Sequence, residues 1–159
     1  MYNRRVVVTG IGTVCCNGVG KEIFWKTLKE GVSNIDKISS FDAKSFYSQI
    51  SGEARDFKPT DYIDFKEAKR MDRFNQFAIA CTKLAVEDAK LTITDEISSS
   101  VGVLVGSCFG GLSTLIHQTE KFHRGGSSKI SPFFIPMLIA NMVPGQISIS
   151  FNARGPNYS

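Results

Sequence analysis

The sequence predicts an α/β domain in which helices cover a mixed β-sheet. Two short, β-branched runs are separated by longer segments whose apolar residues recur at helical spacing. Glycines stand at the ends of both runs, where a strand would turn into a helix. The 159 residues suffice for one domain with one sizeable core.

The first elements are predicted to be a strand and a helix. Residues 4–9 end in a run of valines closed by Gly10, which predicts a buried strand. A helix is expected over 21–30, because its apolar residues share one face, and Gly31 is expected to end it. Residues 33–64 show no regular period, and so long a surface excursion suggests a functional or interface role.

Four larger elements follow. A strong helix is predicted over 66–90, and the run VGVLV at 101–105 predicts a second buried strand. A helix over 112–122 comes after a glycine-rich turn. Pro132 stands near the first turn of a short helical stretch, where its missing N–H does no harm. Residues 142–151 are predicted to form a buried helix.

The composition excludes several classes of protein. A net charge of +4 is too small to indicate nucleic-acid binding, although clustered cations would suit an acidic protein partner. No apolar run approaches the roughly 20 residues that a membrane helix needs. The cysteines are expected to be free thiols in a reducing compartment, the cytoplasm, because no secretory signal precedes them and none pairs as C-x-x-C. Two histidines are too few for a usual zinc site, so no metal is expected.

Neither of two glycine-rich turns fits a nucleotide site. Residues 10–12 lack the third glycine of a dinucleotide fingerprint, and residues 106–111 lack the lysine of a P-loop. Cys108 is a possible nucleophile by residue type, but neither His117 nor His123 stands in a base-and-orienter pattern. A small buried cysteine is the favoured interpretation of Cys108, and no cofactor is predicted.

Two further clusters have an ordinary and a functional interpretation. Lys66, Lys69 and Arg70 are spaced to share one face at a helix start, either as a solvated charged face or as a docking patch for an anionic partner. Phe133 and Phe134 favour core packing, but two adjacent aromatics in a helix cannot both face one core. One of the two rings could therefore serve an interface or a pocket.

Five stretches, taken in order, resemble the β-ketoacyl-acyl-carrier-protein synthases of dissociated fatty-acid synthesis and related polyketide ketosynthases. They are VVVTGIGTV at 6–14, FWKTLKEGVSNI at 24–35, KEAKRMDRFNQFA at 66–78, VGVLVGSCFGG at 101–111 and the long run from ISPFF to GPNYS at 130–159. The last stretch is the most specific.

The resemblance implies a thiolase-like αβαβα sandwich built from two related halves, usually as a homodimer. Residues 1–159 would be the N-terminal β-ketoacyl synthase domain, incomplete at its C-terminal end. The implied reaction condenses an acyl thioester with malonyl-ACP, using a cysteine expected a few residues after Ser159 and two histidines from the second half. No catalytic residue of the family matches a position in this chain.

The resemblance also assigns subsidiary roles. Lys66, Lys69 and Arg70 match a docking surface for acyl carrier protein, Phe109 a position lining the acyl pocket, and Phe134 one that reaches the partner subunit's pocket. The family often has a smaller aliphatic residue where Phe109 stands, so a shorter acyl chain is expected. Three alternatives stay open. They are a polyketide ketosynthase, a non-catalytic partner subunit such as a chain-length factor, and a module that only binds the carrier.

Overall fold

The computed structural model describes residues 4–159, in which helices dominate and the strands are short. The helices are α1 (Lys21–Lys29), α2 (Phe65–Ala68), α3 (Arg73–Asp88), α4 (Asp95–Ser98), α5 (Leu112–Gly125), α6 (Phe134–Leu138) and α7 (Met142–Phe151). The strands are β1 (Val14–Cys15), β2 (Gly18–Val19), β3 (Asp36–Lys37), β4 (Ile50–Ser51), β5 (Val103–Leu104) and β6 (Asn157–Tyr158). Short 3₁₀ turns occupy Pro59–Asp61 and Ser127–Lys129.

The strands form three separate pairs. β1 and β2 are antiparallel, as are β3 and β4, whereas β5 and β6 are parallel with Val103 opposite Asn157. Helix α7 packs on both strands of the parallel pair. Parallel and antiparallel pairing are thus both present, but within residues 4–159 no single sheet joins the three pairs.

The predicted strand at residues 4–9 is wrong, and the strand at 101–105 is shorter and less buried than expected. Val6, Val7 and Val8 are 93%, 67% and 81% exposed, and no ladder pairs them. A β-branched run becomes a strand only where a neighbour accepts its backbone hydrogen bonds. Strand β5 has such a neighbour in β6, yet Leu104 is 81% exposed because α7 covers one face only.

The single helix predicted over 66–90 is also wrong, because the chain breaks between α2 and α3. Asp72 adopts an extended backbone, and its Oδ1 accepts a hydrogen bond from the N–H of Phe74, 3.2 Å away. Asp64 caps α2 in the same way, accepting from the N–H of Lys66 at 2.8 Å. An aspartate that caps a helix starts a new one, which ends the continuity that the apolar spacing suggested.

The predictions for α1, α5 and α7 are confirmed to within a few residues. Gly31 follows α1 with a φ of +64°, the left-handed conformation that suits glycine. Asn152 ends α7 in the left-handed region, at a φ of +56°. Residues 33–64 are largely irregular as predicted, apart from the β3–β4 pair and one 3₁₀ turn.

The core lies where α3 crosses α7. Ile79 of α3 packs with Val143 and Ile147 of α7, and Ile63 and Ala68 close the cluster. Beside these apolar groups, the fully buried Asn75 of α3 donates to Oε1 of Gln146 in α7 at 3.0 Å. The Oδ1 atom of Asn75 has no hydrogen-bond partner within residues 4–159.

The N-terminal segment lies flat on α3 because two glycines permit it. A Cβ atom at Gly10 or Gly12 would overlap the backbone oxygens of Ala85 and Cys81. Asp88, at the end of α3, accepts from the N–H of Ile11 at 3.0 Å and pairs with Lys21. The hydrogen bond from Lys21 lowers the pKa of the Asp88 carboxyl, which therefore stays charged.

Glu53 ties the irregular segment together. Its carboxylate accepts from Oγ of Ser39 at 2.6 Å, from the N–H groups of Ser39 and Ser40 at 3.0 to 3.2 Å, and from Arg55 at 3.1 Å. The hydrogen bonds from Ser39 and Ser40 lower the pKa of Glu53 to about 2. The charged form is therefore the one that holds the segment.

We expect the segment around Ser39 and Ser40 to loosen in acid. The pKa of Glu53 falls from 4.5 to about 2 in the folded chain, so the stabilisation is complete above pH 4.5 and is lost as the pH falls towards 2. The protection factors of the Ser39 and Ser40 amides against hydrogen exchange measure the loosening. Glu53→Gln should lower these protection factors at neutral pH and remove most of their dependence on acid. Unchanged protection factors in that variant would contradict the assignment.

Candidate functional site

The three predicted docking cations lie on a short helix and the turn after it. Lys66 is in α2, Lys69 is its C-terminal cap, and Arg70 begins the turn that leads to Asp72. All three side chains are exposed. Only Lys66 of the three lies within the helix, because α2 ends at Ala68. The cations are nevertheless held within five consecutive residues of the surface.

Aromatic rings fix the direction of two of these cations. Nζ of Lys69 lies 4.2 Å from the ring centre of Phe65, and the guanidinium carbon of Arg70 lies 4.8 Å from that of Phe133. Such contacts contribute about 0.5–1 kcal/mol at exposed sites. They hold the charge near the surface and do not neutralise it, whereas a carboxylate would neutralise it.

The two adjacent phenylalanines have different surroundings, as their adjacency predicted. Phe133 is 37% exposed and carries Arg70 on its ring, while Phe134 is half-buried at the start of α6. The contact of Phe133 with Arg70 could not be predicted from the sequence, since the two residues belong to distant segments. Through it, the segment that holds the predicted pocket residue Phe134 meets the predicted docking residue Arg70.

Phe109 is in the loop between β5 and α5, where its side chain is 75% exposed. The glycines that follow it hold this loop against α6: Gly111 donates its N–H to the carbonyl of Leu138 at 2.8 Å, and a Cβ on Gly110 would overlap the same oxygen. The close approach that the glycines predicted is therefore made by the backbone of α6. Phe109 and Phe134 thus lie on two segments that are packed together.

The buried environment predicted for Cys108 is wrong. Its side chain is exposed, because the loop that carries it runs over the surface. Among the other cysteines, burial raises the pKa of the Cys81 thiol, which keeps it neutral and weakly nucleophilic. All four cysteines are free thiols. Within residues 4–159, no group of three histidine, cysteine or acidic side chains could hold a metal ion.

A buried carboxylate connects the segment of the predicted docking cations Lys66, Lys69 and Arg70, here called the docking turn, to the Phe109 loop. Asp72, 6% exposed, uses Oδ1 to cap α3 and Oδ2 to accept from Thr114, at 2.9 Å from its N–H and 2.6 Å from its hydroxyl. Thr114 is the third residue of α5, so one side chain satisfies the N-terminal donors of two helices. Asp72 is not among the site residues predicted from the sequence. Its position before Arg73-Phe74 is nevertheless typical of a residue that caps the N-terminus of a helix.

An apolar cavity of about 220 Å³ opens beside Arg70. Its apolar lining comes from Met71 after α2, from Phe133 and Pro136 at α6, and from Ile149 of α7. Ile149 is 83% exposed. This cavity could not be predicted from the sequence, because its walls come from three segments that are far apart along the chain.

The fold is that of the ketosynthases, a thiolase-like class of condensing enzymes. The structure titled the ishigamide ketosynthase/chain length factor aligns with a TM-score of 0.80 at 28% identity, covering 98% of this chain and 38% of that one. A β-ketoacyl synthase from Burkholderia phymatum, at 23% identity and a TM-score of 0.72 over 96% of this chain and 38% of that one, supports the fold alone. So does a type II polyketide ketosynthase in complex with its acyl-carrier protein, at 21% identity and a TM-score of 0.74, covering 96% of this chain and 40% of that one.

Residues 3–159 match the family described as β-ketoacyl synthase, N-terminal domain, and the chain belongs to that family. The chain is 42% identical over 155 residues to 3-oxoacyl-[acyl-carrier-protein] synthase 2 of Staphylococcus aureus, covering 98% of this chain and 37% of that protein. The protein of the same description from Synechocystis is 44% identical over 157 residues, covering 99% of this chain and 38% of that protein. The chain thus spans little more than a third of these relatives.

Within residues 4–159, no helix has both the length and the apolar composition needed to cross a membrane.

We expect Asp72→Ala to lower the free energy of unfolding by about 2–4 kcal/mol, because it removes the caps of two helices and leaves the buried Thr114 hydroxyl without a partner. Urea denaturation of the chain measures the loss. Asp64→Ala is the matched control, since it removes one exposed cap and should cost about 1 kcal/mol. Equal losses in the two variants would contradict the bridging role of Asp72.

Proposed function

We propose that this chain is the N-terminal part of a condensing enzyme that joins an acyl thioester to malonyl-ACP, with loss of CO2, in fatty-acid elongation. The observation that carries the proposal is the match of residues 3–159 to the family domain, with 42% identity to a 3-oxoacyl-[acyl-carrier-protein] synthase 2 over 98% of the chain. An exposed basic turn and an exposed aromatic loop, joined through Asp72, are consistent with it.

In the proposed reaction, a cysteine thiolate attacks the acyl thioester and releases the carrier's thiol. Malonyl-ACP then loses CO2, and the resulting carbanion attacks the acyl-enzyme to give β-ketoacyl-ACP and the free cysteine. Backbone N–H groups stabilise the oxyanion that develops in each acyl transfer. The reactive cysteine and two histidines match none of the cysteines or histidines in residues 1–159, so this chain supplies binding groups and not the reacting atoms.

The first binding role is docking of the carrier protein. Lys66, Lys69 and Arg70 present three cations on one exposed turn, and no carboxylate within residues 4–159 lies within 4.0 Å of them. Unpaired cations attract an acidic carrier and increase its rate of association. Docking on this turn brings the carrier next to α6, where Phe134 begins the helix.

The second role is to shape the acyl pocket. The 75% exposed ring of Phe109 is available to a ligand or to another part of the protein. A phenylalanine fills more of a pocket than a short aliphatic side chain, so we infer a preference for shorter acyl chains. Phe134 would reach the pocket of a partner subunit in a homodimer.

The free thiols of all four cysteines support a reducing compartment, for which we propose the cytoplasm.

A polyketide ketosynthase or its non-catalytic chain-length factor is the second candidate. The alignment to the ishigamide ketosynthase/chain length factor, at a TM-score of 0.80, favours it specifically. A chain-length factor differs from both kinds of synthase at the nucleophile, which is a cysteine only in a condensing subunit. A catalytic assay of the protein with its own remaining residues therefore separates a synthase from a chain-length factor.

We expect a chimera of this chain with the remaining residues of the Staphylococcus aureus synthase to form β-ketoacyl-ACP from acyl-ACP and malonyl-ACP, because the chain would supply a working docking turn and pocket. Mass spectrometry of the carrier-bound product measures the reaction. The chain alone should transfer no acyl group and release no CO2. A folded chimera that fails to bind or elongate any acyl-ACP would contradict the proposed function.

In the same chimera, Phe109→Ala should shift the product distribution towards longer acyl chains, because it removes a ring from the pocket. The ratio of rates with a long and a short primer measures the shift. Phe46→Ala is the matched control, since this ring is also exposed, at 57%, but lies in the irregular segment. An unchanged ratio in Phe109→Ala would exclude the pocket role.

A further inference from the structure

We propose that Gln118 is a positioning residue, which sets the selectivity of the acyl pocket by fixing Phe133 and Phe134 at the start of α6. The inference rests on the proposed pocket role of Phe134 and deepens it, because it names the group that holds that ring in place. Gln118 lies in α5, and only 5% of its surface is exposed. Burying an amide is unfavourable unless its polar atoms find partners, so the partner of Gln118 identifies the segment that it holds.

Polar side chains hold the inner face of α5. The buried side chains of this helix are those of Thr114 and Gln118, four positions apart on one face. Thr114 donates to Asp72, whereas Oε1 of Gln118 accepts from the N–H of Ser131 at 2.8 Å. The large apolar side chains of α5 are 38–55% exposed, namely Leu112, Leu115, Ile116 and Phe122. Buried hydrogen bonds therefore align α5 with its neighbours, more than buried apolar contacts do.

A chain of hydrogen bonds leads from Gln118 to both phenylalanines. Gln118 holds the N–H of Ser131. The hydroxyl of Ser131 accepts from the N–H of Phe133 at 3.2 Å, and its carbonyl accepts from the N–H of Phe134 at 3.0 Å. Hydrogen bonds in such a chain polarise one another, so the loss of the buried acceptor weakens the bonds that follow. The backbone that carries both rings would then be less firmly fixed.

The other end of α6 is held from the same helix. The N–H of Gly111, which caps the N-terminus of α5, donates to the carbonyl of Leu138 at 2.8 Å. Gly111 lies seven positions before Gln118 along the chain. Ser131 likewise lies seven positions before Leu138, so the two contacts fit a pair of segments that run antiparallel. Without the contact to Gln118, α6 would stay attached through Leu138 while the rings at its start move.

The experiment uses the chimera of this chain with the remaining residues of the Staphylococcus aureus synthase. Gln118→Met keeps the length of the side chain but offers no acceptor to Ser131. It should raise the ratio of kcat/KM for a long primer to that for a short primer roughly 3- to 10-fold, because Phe134 bounds the pocket less firmly. Gln118→Glu keeps an oxygen acceptor and should restore the ratio of the parent. Glu120→Gln, on the exposed face of α5, should leave the ratio unchanged.

A purely structural role would lower the active fraction for every primer equally and leave the ratio unchanged. An unchanged ratio in Gln118→Met, or one that Gln118→Glu does not restore, would therefore overturn the positioning role while the proposed function stands. If the parent chimera elongates no primer, the proposed function and the positioning role are both wrong. The amide of Ser131 gives a test in the unmodified chain, where it should be protected from hydrogen exchange. Exchange at the rate of an unprotected peptide would also overturn the proposal.

Discussion

The arrangement of the candidate site depends on the carboxylate of Asp72. Its two oxygens serve separate helices, because Oδ1 caps α3 while Oδ2 accepts from both donors of Thr114 in α5. A negative charge also suits the positive ends of both helix dipoles. The docking turn ends at this residue, and the Phe109 loop ends where α5 begins. One buried side chain therefore sets the distance between the two surfaces to which we assign function.

Helix α3, which Asp72 caps, contacts both α7 and the N-terminal segment. Its inner face meets α7 through the apolar cluster and through the hydrogen bond from Asn75 to Gln146. Its other end receives the N-terminal segment, which two glycines allow to approach the helix backbone. The same α7 carries Ile149 to the cavity and packs on the parallel strands.

Two of the three predicted docking cations contact aromatic rings, as Arg73 and Lys83 also do. Many exposed cations elsewhere pair with carboxylates, as Lys21 does with Asp88 and Arg55 with Glu53. Lys69 and Arg70 rest on aromatic rings instead. A ring orders a cation but leaves its charge available, whereas a carboxylate neutralises it. The docking role of these cations stays a prediction.

The sequence by itself determined the family and the helices α1, α5 and α7, and it predicted the segments to which we assign binding roles. Apolar periodicity did not show the break before α3 or the fate of residues 4–9. The break is made by the cap that Asp72 forms on α3, and a strand requires a partner, and periodicity reveals neither. The contact of Arg70 with Phe133 and the cavity beside them likewise join distant segments. Local patterns fix local structure, but only tertiary packing decides which side chains meet and which remain exposed.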